Sequence, residues 1–550
     1  MKKPSSYLNF FPLILGVAGA VALCSYISPW AAVKPDSTIY LRMAEEIQKG
    51  HWHIDQWGRG AYSGVPMYPM LVALVKWVIP GLETAGTLAA IMPAAIVVVP
   101  LFFLARHFYG KKAAWIVIPL TIFNPWYLDY VSLPLTEALF TLLFLSGILL
   151  LLYALTKNSP KLWFATGVVS AAAWVTRDAG IILPFLSFLW LIVSTWKNRG
   201  FNSNMIKNSA GLIIGLLLIY APLKIVLTMD HKSIPDPPPA ISVTSALMAP
   251  DLRDLTKREI YFGKLTEDGR EYAFVETQKN PPKLADVLRN WNWVIQRFGY
   301  NLAEIAKSTL WIPGVALLVF IIIGIIIGKG FKREESGWFP DALIFLGSYA
   351  VFYLLFYALA GAFTGAVGPE RYLVPLIPLF VIWATHGIME IEKKVKVFNV
   401  KHLGTLITLL CIGIILTLYI PGIKVIKQKN EAKQARWRFY ERLGIKIRDL
   451  SRSSHDSDKT IIMARAPFLP YYAGASWVIL PYGSYQEIIT FVKYKDVDFL
   501  FLEMGLESLH PQLSFLLNSK LSVPEMERVY WLSPEKGSEK LMVALYRIKK

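Results

Sequence analysis

Long apolar runs constrain this chain more than any other feature of its sequence. A helix needs roughly 18 to 20 apolar residues to cross the hydrocarbon core of a bilayer, and several runs here are that long. Only 17% of the residues are charged, whereas a soluble domain usually carries about 25%. The sequence therefore excludes a soluble enzyme and predicts a polytopic α-helical membrane protein. About eleven spans are expected, near residues 8–29, 84–106, 113–128, 134–155, 162–177, 180–196, 206–228, 309–328, 341–361, 372–389 and 403–421.

The basic residues indicate how these spans are oriented. Every second loop is rich in Lys and Arg, as at residues 111–112, 197–207 and 393–401, whereas the loops between them hold almost none. Because basic loops stay in the cytoplasm, the N-terminus is predicted to be cytoplasmic, and an odd number of spans places the C-terminal segment outside. We attribute the net charge of +18 to this topology and to anionic membrane lipids. The plasma (inner) membrane is the expected location, and nucleic acid is not expected as a partner.

Two outer loops are long enough to carry function. The first, about residues 30–83, begins with Ile39, Met43 and Ile47 at four-residue spacing, which predicts a helix lying flat on the membrane surface. The second, about residues 229–308, is polar and opens on a proline-rich stretch, so it is expected to be a structured loop or lid.

The C-terminal part of the chain differs in composition from the rest. It has an amphipathic helical pattern around residues 437–447 and strand-like runs at 460–463, 497–502 and 541–548. Strands that alternate with helical patterns favour an α/β module. We therefore divide the chain into a transmembrane domain, residues 1–422, and an extracytoplasmic α/β domain, residues 423–550.

Ionisable residues near membrane depth are costly, so each one is a candidate for function. Asp36 follows the first span, and two interpretations of it stay open: an N-cap that accepts bonds from the first amides of a helix, or a general base at the outer membrane surface. Asp129 and Glu137 flank a short, aromatic-rich outer loop. A carboxylate is favourable at a helix N-terminus, so a structural role and a substrate site are both compatible with them.

Three arginines complete the candidate set. Arg177 and Asp178 interrupt an apolar stretch as an adjacent ion pair. Arg371 opens the tenth span, where the helix dipole favours acids, and this misfit indicates an anionic partner such as a lipid phosphate. Arg59, in a turn-rich part of the first outer loop, is a further cation that could contact phosphate.

Several common chemistries lack their sequence signatures. The chain has no Walker phosphate loop, no dinucleotide-binding glycine motif, no zinc-protease motif and no serine-hydrolase elbow. His51, His53 and His231 do not have the spacing of a zinc site. No cofactor is therefore predicted with certainty, and a divalent metal beside Asp36 stays open.

Four stretches, in this order, resemble the membrane glycosyltransferases of the GT-C type. They are residues 36–44 (DSTIYLRMA), 66–71 (PMYPML), 135–140 (LTEALF) with 176–180 (TRDAG), and 370–375 (ERYLVP). The resemblance is to the branch that holds the dolichyl-phosphate-mannose protein mannosyltransferases, the lipid A aminoarabinose transferases and related bacterial family-39-like enzymes. It covers roughly residues 8–422, and the outer C-terminal domain resembles those of the bacterial members.

The resemblance implies inverting transfer of a sugar from a polyprenyl-phosphate donor to an acceptor glycan, lipid or protein outside the cytoplasm. It implies that Asp36 is the general base or orients the acceptor, and that Arg371 and Tyr372 contact the lipid phosphate. Arg177 and Arg59 would assist, and substrate-binding or supporting roles fall to Asp129, Glu137, Asp178, Glu370 and Tyr40. Many members carry a second acidic residue where this chain has Ser37, which argues against protein O-mannosyl transfer and against a metal held by such a pair.

Two other classes of function stay open on sequence alone. A transporter or flippase for polyprenyl-linked glycans would show internal repeats and broken helices, and neither is evident. A membrane-anchored binding protein would not need carboxylates at several outer junctions.

Overall fold

Every apolar run that the sequence predicts to span the membrane coincides with a helix. The computed structural model describes residues 11–52, 66–197, 203–233, 265, 268–270, 291–311, 314–327, 342–364, 369–396, 402–452, 460–503, 510–518, 520, 522–532 and 542–549. Arg59 and His53 lie outside these residues, as do most of the second outer loop and the first ten residues.

The membrane part is a bundle of helices. Its first half comprises α1 (Phe11–Ile27), α2 (Pro35–Gln48), α3 (Met67–Lys76), α4 (Leu82–Ile96), α5 (Val98–Ile122), α6 (Pro125–Val131), α7 (Glu137–Lys157), α8 (Pro160–Trp174), a 3₁₀ turn (Asp178–Ile181) and α9 (Ile182–Lys197). Its second half comprises α10 (Ser203–Ser233), α11 (Trp291–Trp311), α12 (Gly314–Ile327), α13 (Ala342–Thr364), α14 (Pro369–Tyr372), a 3₁₀ turn (Val374–Leu376), α15 (Ile377–Val395) and α16 (Leu403–Arg452).

Seven helices within the described residues are long and apolar enough to cross a membrane, and an eighth is added if the bent pair Phe298–Leu310 and Gly314–Ile327 forms one span. The second and third predicted spans lie in one helical stretch, Leu82–Ile122, which breaks at Gly110 with a φ of +85°. The first and fifth are helices of 17 and 15 residues. The eleven predicted segments are thus all helical, and the chain is an integral membrane protein.

Glycines allow some of these helices to pack backbone against backbone. A Cβ added at Gly167 of α8 would lie 2.3 Å from the carbonyl oxygen of Leu212 in α10, and one at Gly387 of α15 would lie 1.8 Å from that of Phe320 in α12. Small residues replace side-chain interdigitation at such contacts, as they commonly do between membrane helices.

The last membrane helix continues without a break into the C-terminal domain. Helix α16 has 50 residues and contains Pro421, so it is about 75 Å long at 1.5 Å per residue. The amphipathic pattern around residues 437–447, which the sequence assigns to a separate helix, belongs to the second half of α16. The predicted boundary at residues 422 and 423 falls inside this helix, which rigidly couples the two parts.

The C-terminal domain is built on one mixed sheet in the order β2-β1-β3-β5-β4. Its strands are β1 (Ile461–Ala464), β2 (Ser476–Ile479), β3 (Phe499–Glu503), β4 (Met526–Leu532) and β5 (Val543–Ile548). Strand β1 is parallel to β2 and β3, whereas β5 is antiparallel to β3 and β4. Helices α16 and α17 (Phe468–Ala473) cover one face, and α18 (Tyr485–Tyr494) covers the other. The sequence predicted three of these strands and missed the short β2 and the irregular β4.

The two outer loops are more helical than the sequence predicted. Helix α2 of the first loop packs against α3 and α4, and its Met43 is buried. The predicted second loop, residues 229–308, overlaps the end of α10 and most of α11. Leu265, between them, lies in the hydrophobic core formed by α18 and the sheet.

Candidate functional site

Four ionisable side chains from four separate elements form a connected chain, which we call the Asp36 cluster. Arg177 Nη1 donates to Glu137 Oε1 at 2.8 Å. Arg371 donates through Nε to the same Glu137 oxygen and through Nη1 to Asp36 Oδ2. The cluster therefore runs Arg177, Glu137, Arg371, Asp36, and it joins residues up to 335 positions apart in the sequence.

Asp36 occupies the first turn of α2 but is not its N-cap. Lys34 is the N-cap, Pro35 takes the first helical position, and no side chain caps the helix. Proline is preorganised for that first position, so Asp36 is displaced into the helix and its carboxylate is available to Arg371. The N-cap interpretation of Asp36 is therefore wrong, and the carboxylate is 40% exposed.

Glu137 is the buried centre of the cluster. It is the first residue of α7, as the sequence predicted, and its side chain is fully buried. Its Oε1 accepts from both arginines, while Oε2 has no hydrogen-bond partner among the described residues. A buried carboxylate is stable only with opposite charges and hydrogen bonds beside it, so Glu137 and the two guanidiniums hold one another in place.

Aromatic rings fix the two arginines from the other side. The Arg177 guanidinium lies 5.1 Å from the Tyr372 ring centroid and 5.9 Å from that of Phe140. Tyr372 in turn stacks on Tyr357 at 4.9 Å, and its carbonyl accepts a 2.8 Å hydrogen bond from Tyr353. Cation–π contacts of this kind favour a desolvated guanidinium.

The predicted ion pair between Arg177 and Asp178 is not what the structure shows. Arg177 pairs with Glu137 instead, because the extended backbone at Arg177 ends α8 and turns its side chain toward α7. Asp178 is exposed at the start of the 3₁₀ turn, and no ion pair joins it to another described residue.

The remaining predicted residues lie around the cluster or apart from it. Asp129, on α6, accepts from Lys429 of α16 at 2.8 Å. Glu370 is exposed beside Arg371. Tyr40 lies edge-on to Tyr68 with 5.7 Å between ring centroids, and burial together with the Asp36 charge raises the pKa of its hydroxyl.

The described residues contain no group of three or more His, Cys, Asp or Glu placed to hold a metal ion. His51 contacts Glu46 of α2 at 3.1 Å, and the side chain of His231 lies outside the described residues, as does His53.

Two features of this region escaped the sequence analysis. Tyr353 and Tyr357 lie one turn apart on α13, and this spacing could have marked an aromatic wall. Lys429 lies beyond the last predicted span, in a segment that the sequence assigned to the outer domain. Its four-residue spacing to Lys433 on the same helix was the available signal.

The chemistry of the Asp36 cluster follows from its exposure and charge. Two carboxylates balance two guanidiniums, and only Asp36 is substantially exposed. An accessible carboxylate can accept a proton from a hydroxyl, and an adjacent arginine can stabilise a departing phosphate. Such a site suits transfer from a phosphorylated donor.

Part of the chain is similar to a known protein family. Residues 63–224 match the family model for dolichyl-phosphate-mannose-protein mannosyltransferase. No curated protein sequence matches the chain.

Solved structures share the fold of the whole chain. ArnT from Cupriavidus metallidurans bound to undecaprenyl phosphate superposes with a TM-score of 0.55 at 11% identity, covering 97% of each chain. The apo oligosaccharyltransferase from Archaeoglobus fulgidus has a TM-score of 0.54 at 12% identity, over 92% of this chain and 70% of that one. The archaeal oligosaccharyltransferase AglB from Archaeoglobus fulgidus, in complex with an inhibitory peptide and a dolichol-phosphate, has a TM-score of 0.52 at 10% identity, over 91% and 70%.

At these identities the superpositions establish the fold. The family match over residues 63–224 and the GT-C fold of the whole chain together indicate a membrane glycosyltransferase.

Proposed function

We propose that this protein transfers a sugar from a polyprenyl-phosphate donor to an acceptor on the outer side of the membrane, with inversion at the anomeric carbon. The observation that carries the proposal is the Asp36 cluster, in which one accessible carboxylate pairs with Arg371, and Arg371 and the buried Arg177 share Glu137. The polyprenyl phosphates named in the structures of ArnT and AglB support this class of lipid carrier.

In the proposed reaction Asp36 is the catalytic base. Its carboxylate takes the proton of the acceptor hydroxyl while the hydroxyl oxygen forms a bond to the anomeric carbon. The bond from that carbon to the phosphate oxygen breaks, and its electron pair leaves with polyprenyl phosphate. Because phosphate is a good leaving group, no general acid is needed, and Arg371 beside Tyr372 stabilises the developing charge.

Glu137 and Arg177 act as positioning residues in this scheme. Glu137 holds both guanidiniums before the donor arrives, so their orientation requires no rearrangement at the moment of reaction. When a phosphate approaches, Arg371 can exchange its contact with Asp36 for the phosphate, which releases the carboxylate for proton transfer.

The C-terminal domain is proposed to position the acceptor. Its sheet and α16 share one hydrophobic core with residues that flank the site, including Ala31, Val33 and Leu133. Tyr472 of the domain also donates to Glu83 of α4 at 2.5 Å. A glycan, lipid or protein acceptor that approaches Asp36 would therefore pass beside this domain.

The experiment is sugar transfer by the purified full-length protein in detergent. Short-chain polyprenyl-phosphate hexoses and pentoses serve as donors, and release of free polyprenyl phosphate is measured. Asp36→Asn is expected to lower release by at least about 100-fold, the usual contribution of a general base, while donor binding persists.

The matched control is Asp178→Asn, an exposed carboxylate that makes no ion pair within the described residues. It should release polyprenyl phosphate at the wild-type rate. Wild-type release by Asp36→Asn would refute the base assignment. Binding of the donors without any release by the wild type would favour a carrier or flippase instead.

A further inference from the structure

A second charged group lies next to the Asp36 cluster, and we call it the lysine cluster. It consists of Lys34, the residue before α2, together with Lys429 and Lys433, one turn apart on α16, and Asp129 of α6. Lys429 Nζ contacts Asp129 Oδ2 at 2.8 Å. Lys34 Nζ lies 5.8 Å from the centroid of the neighbouring Tyr130 ring.

Lys34 lies next to both clusters, since it is the N-cap of α2, two residues before Asp36, and its ammonium lies over the ring of Tyr130, the neighbour of Asp129. Burial lowers the pKa of the Lys34 ammonium, and the positive charges of Lys429 and Arg371 lower it further. The carboxylates of Asp129 and Glu137 act in the opposite direction. The charges that act on Lys34 therefore belong to both the Asp36 cluster and the lysine cluster.

The two clusters differ in net charge. In the Asp36 cluster two carboxylates neutralise two guanidiniums. In the lysine cluster three ammonium groups share one carboxylate, which leaves two positive charges uncompensated. The excess positive charge beside the proposed reaction site thus lies on the lysines and not on the arginines.

Lys433 makes this excess costly in the absence of a ligand. Its Nζ is buried and has no hydrogen-bond partner among the described residues. Asp129 Oδ1 and Asn430 Oδ1, close by on α6 and α16, are also buried without a partner there. A buried ammonium without a hydrogen-bond partner is unfavourable, and such unsatisfied groups in a folded protein often mark the place of a ligand.

We infer that Lys34, Lys429 and Lys433 bind a phosphate group of a lipid substrate beside the reaction site. The inference rests on the proposed function and deepens it. Three ammonium groups from two elements suit a tetrahedral phosphate, because each is a compact charge with freely rotating donors. Asp129 holds Lys429 in place, and its unpaired oxygen can accept from a substrate hydroxyl.

Two lipid substrates could bring this phosphate, and the experiment separates them. Affinity of the full-length protein is measured for undecaprenyl phosphate against undecaprenol, which represents the carrier, and for phosphatidic acid against diacylglycerol, which represents a phosphate-bearing lipid acceptor. Lys429→Met and Lys433→Met are compared with Lys424→Met, an exposed lysine of the same helix.

We expect Lys433→Met to lower the affinity for at least one phosphate lipid by about tenfold or more and to leave the affinity for the matching uncharged lipid unchanged. If only the affinity for undecaprenyl phosphate falls, the lysines bind the phosphate of the carrier. If only the affinity for phosphatidic acid falls, they bind the phosphate of a lipid acceptor. Lys424→Met should bind as the wild type does. Wild-type affinity for both phosphate lipids in both cluster variants would overturn the inference, and so would a wild-type protein that binds neither lipid.

A stability measurement distinguishes a binding role from a structural one. Since the Lys433 Nζ is buried without a hydrogen-bond partner among the described residues, Lys433→Met should unfold at the same temperature as the unliganded wild type or at a higher one, yet lose the stabilisation that the phosphate lipid confers. A lower unfolding temperature with the ligand shift intact would mean that Lys433 is structural. Lys429→Met, at a more exposed position, keeps the binding test valid if Lys433→Met misfolds.

The outcome is separable from that of the transferase proposal. Phosphate binding that depends on the lysines, without release of polyprenyl phosphate, would leave the site intact and refute catalysis. Release that depends on Asp36, with lipid binding unchanged by the lysine substitutions, would support catalysis and refute the phosphate site at the lysines.

Discussion

Two buried carboxylates in the membrane part of the chain are each held by two cations. Glu137, the first residue of α7, is held by Arg177 and Arg371. Glu392, near the end of α15, is held by Lys112 of α5 and by Lys396, one turn further along the chain. Both carboxylates are at most 2% exposed, so burial alone does not distinguish them.

The difference lies in what remains unsatisfied. Glu392 Oε1 contacts Lys396 at 2.9 Å, while Oε2 accepts from Lys112 and from Thr408 at 2.8 Å. Both lysines are partly exposed, and the group contains no second acid. Glu137 keeps one oxygen without a hydrogen-bond partner among the described residues, Arg177 is buried, and Arg371, which is 19% exposed, reaches the accessible Asp36. The Glu392 group has both carboxylate oxygens paired and connects helices, whereas the carboxylate at the centre of the Asp36 cluster is only partly paired.

Removal of the Glu137 carboxylate should have the largest effect on stability and on transfer. Glu137→Ala leaves the buried Arg177 and the partly buried Arg371 without their main counter-charge, and we expect a loss of about 3–5 kcal/mol of stability. Transfer activity should disappear as well. Thermal unfolding and polyprenyl phosphate release measure the two effects. A stable variant with normal transfer would show that Glu137 does not organise the arginines.

The same substitution at Glu392, near the end of α15, should affect stability alone. Glu392→Ala leaves lysines that are 37% and 64% exposed, so water can solvate them, and the expected loss is about 1–3 kcal/mol. Release of polyprenyl phosphate at a permissive temperature should match the wild type. A selective loss of transfer in a fully stable Glu392→Ala protein would contradict the structural role.

A third buried group, His510 in the C-terminal domain, shows what happens without a counter-charge. Burial and the charge of Arg465 lower the pKa of its imidazole to about 4, compared with about 6.5 in an unfolded chain. Below pH 6.5 the unfolded chain therefore binds a proton that the folded protein does not, and stability falls as the pH drops toward 4. His510→Gln should show a smaller drop in unfolding temperature between pH 7 and pH 5. An identical pH dependence in both proteins would contradict a neutral, buried His510.

The smallest effect is expected at the acidic residue next to Arg177. Asp178→Asn changes an exposed side chain outside the Asp36 cluster, so stability should change by less than about 0.5 kcal/mol. The rate of polyprenyl phosphate release should be unchanged. A tenfold loss of release would place Asp178 in the site after all.

Most of the helical architecture was predictable from the sequence, since every apolar run that was expected to span the membrane forms helix. The carboxylates at outer junctions were also identified one at a time. Their partners were not, because pairing Glu137 with Arg371 depends on how α7 and α14 pack, and no local pattern encodes that. Asp36 illustrates the limit, since Pro35 shifts the helix start by two residues, so the carboxylate is not a cap and pairs with Arg371 instead.

The lysines of α16 were hidden for a related reason. The change from apolar to charged residues near 423 resembles a domain boundary, whereas the helix continues through it for another 30 residues. Because the helix is continuous, Lys429 lies beside Asp129 of the membrane domain. Composition along the chain indicates where a span ends and does not indicate where its helix ends.

The most direct test of the account compares the rate of polyprenyl phosphate release by the wild type, Asp36→Asn and Glu392→Gln under saturating donor. The rate for Asp36→Asn is expected to be lower than that of the wild type by at least about 100-fold, while the rate for Glu392→Gln stays within a few-fold of the wild type. Equal rates in the wild type and Asp36→Asn, or equal losses in both variants, would contradict the claim that the Asp36 cluster is the reaction site.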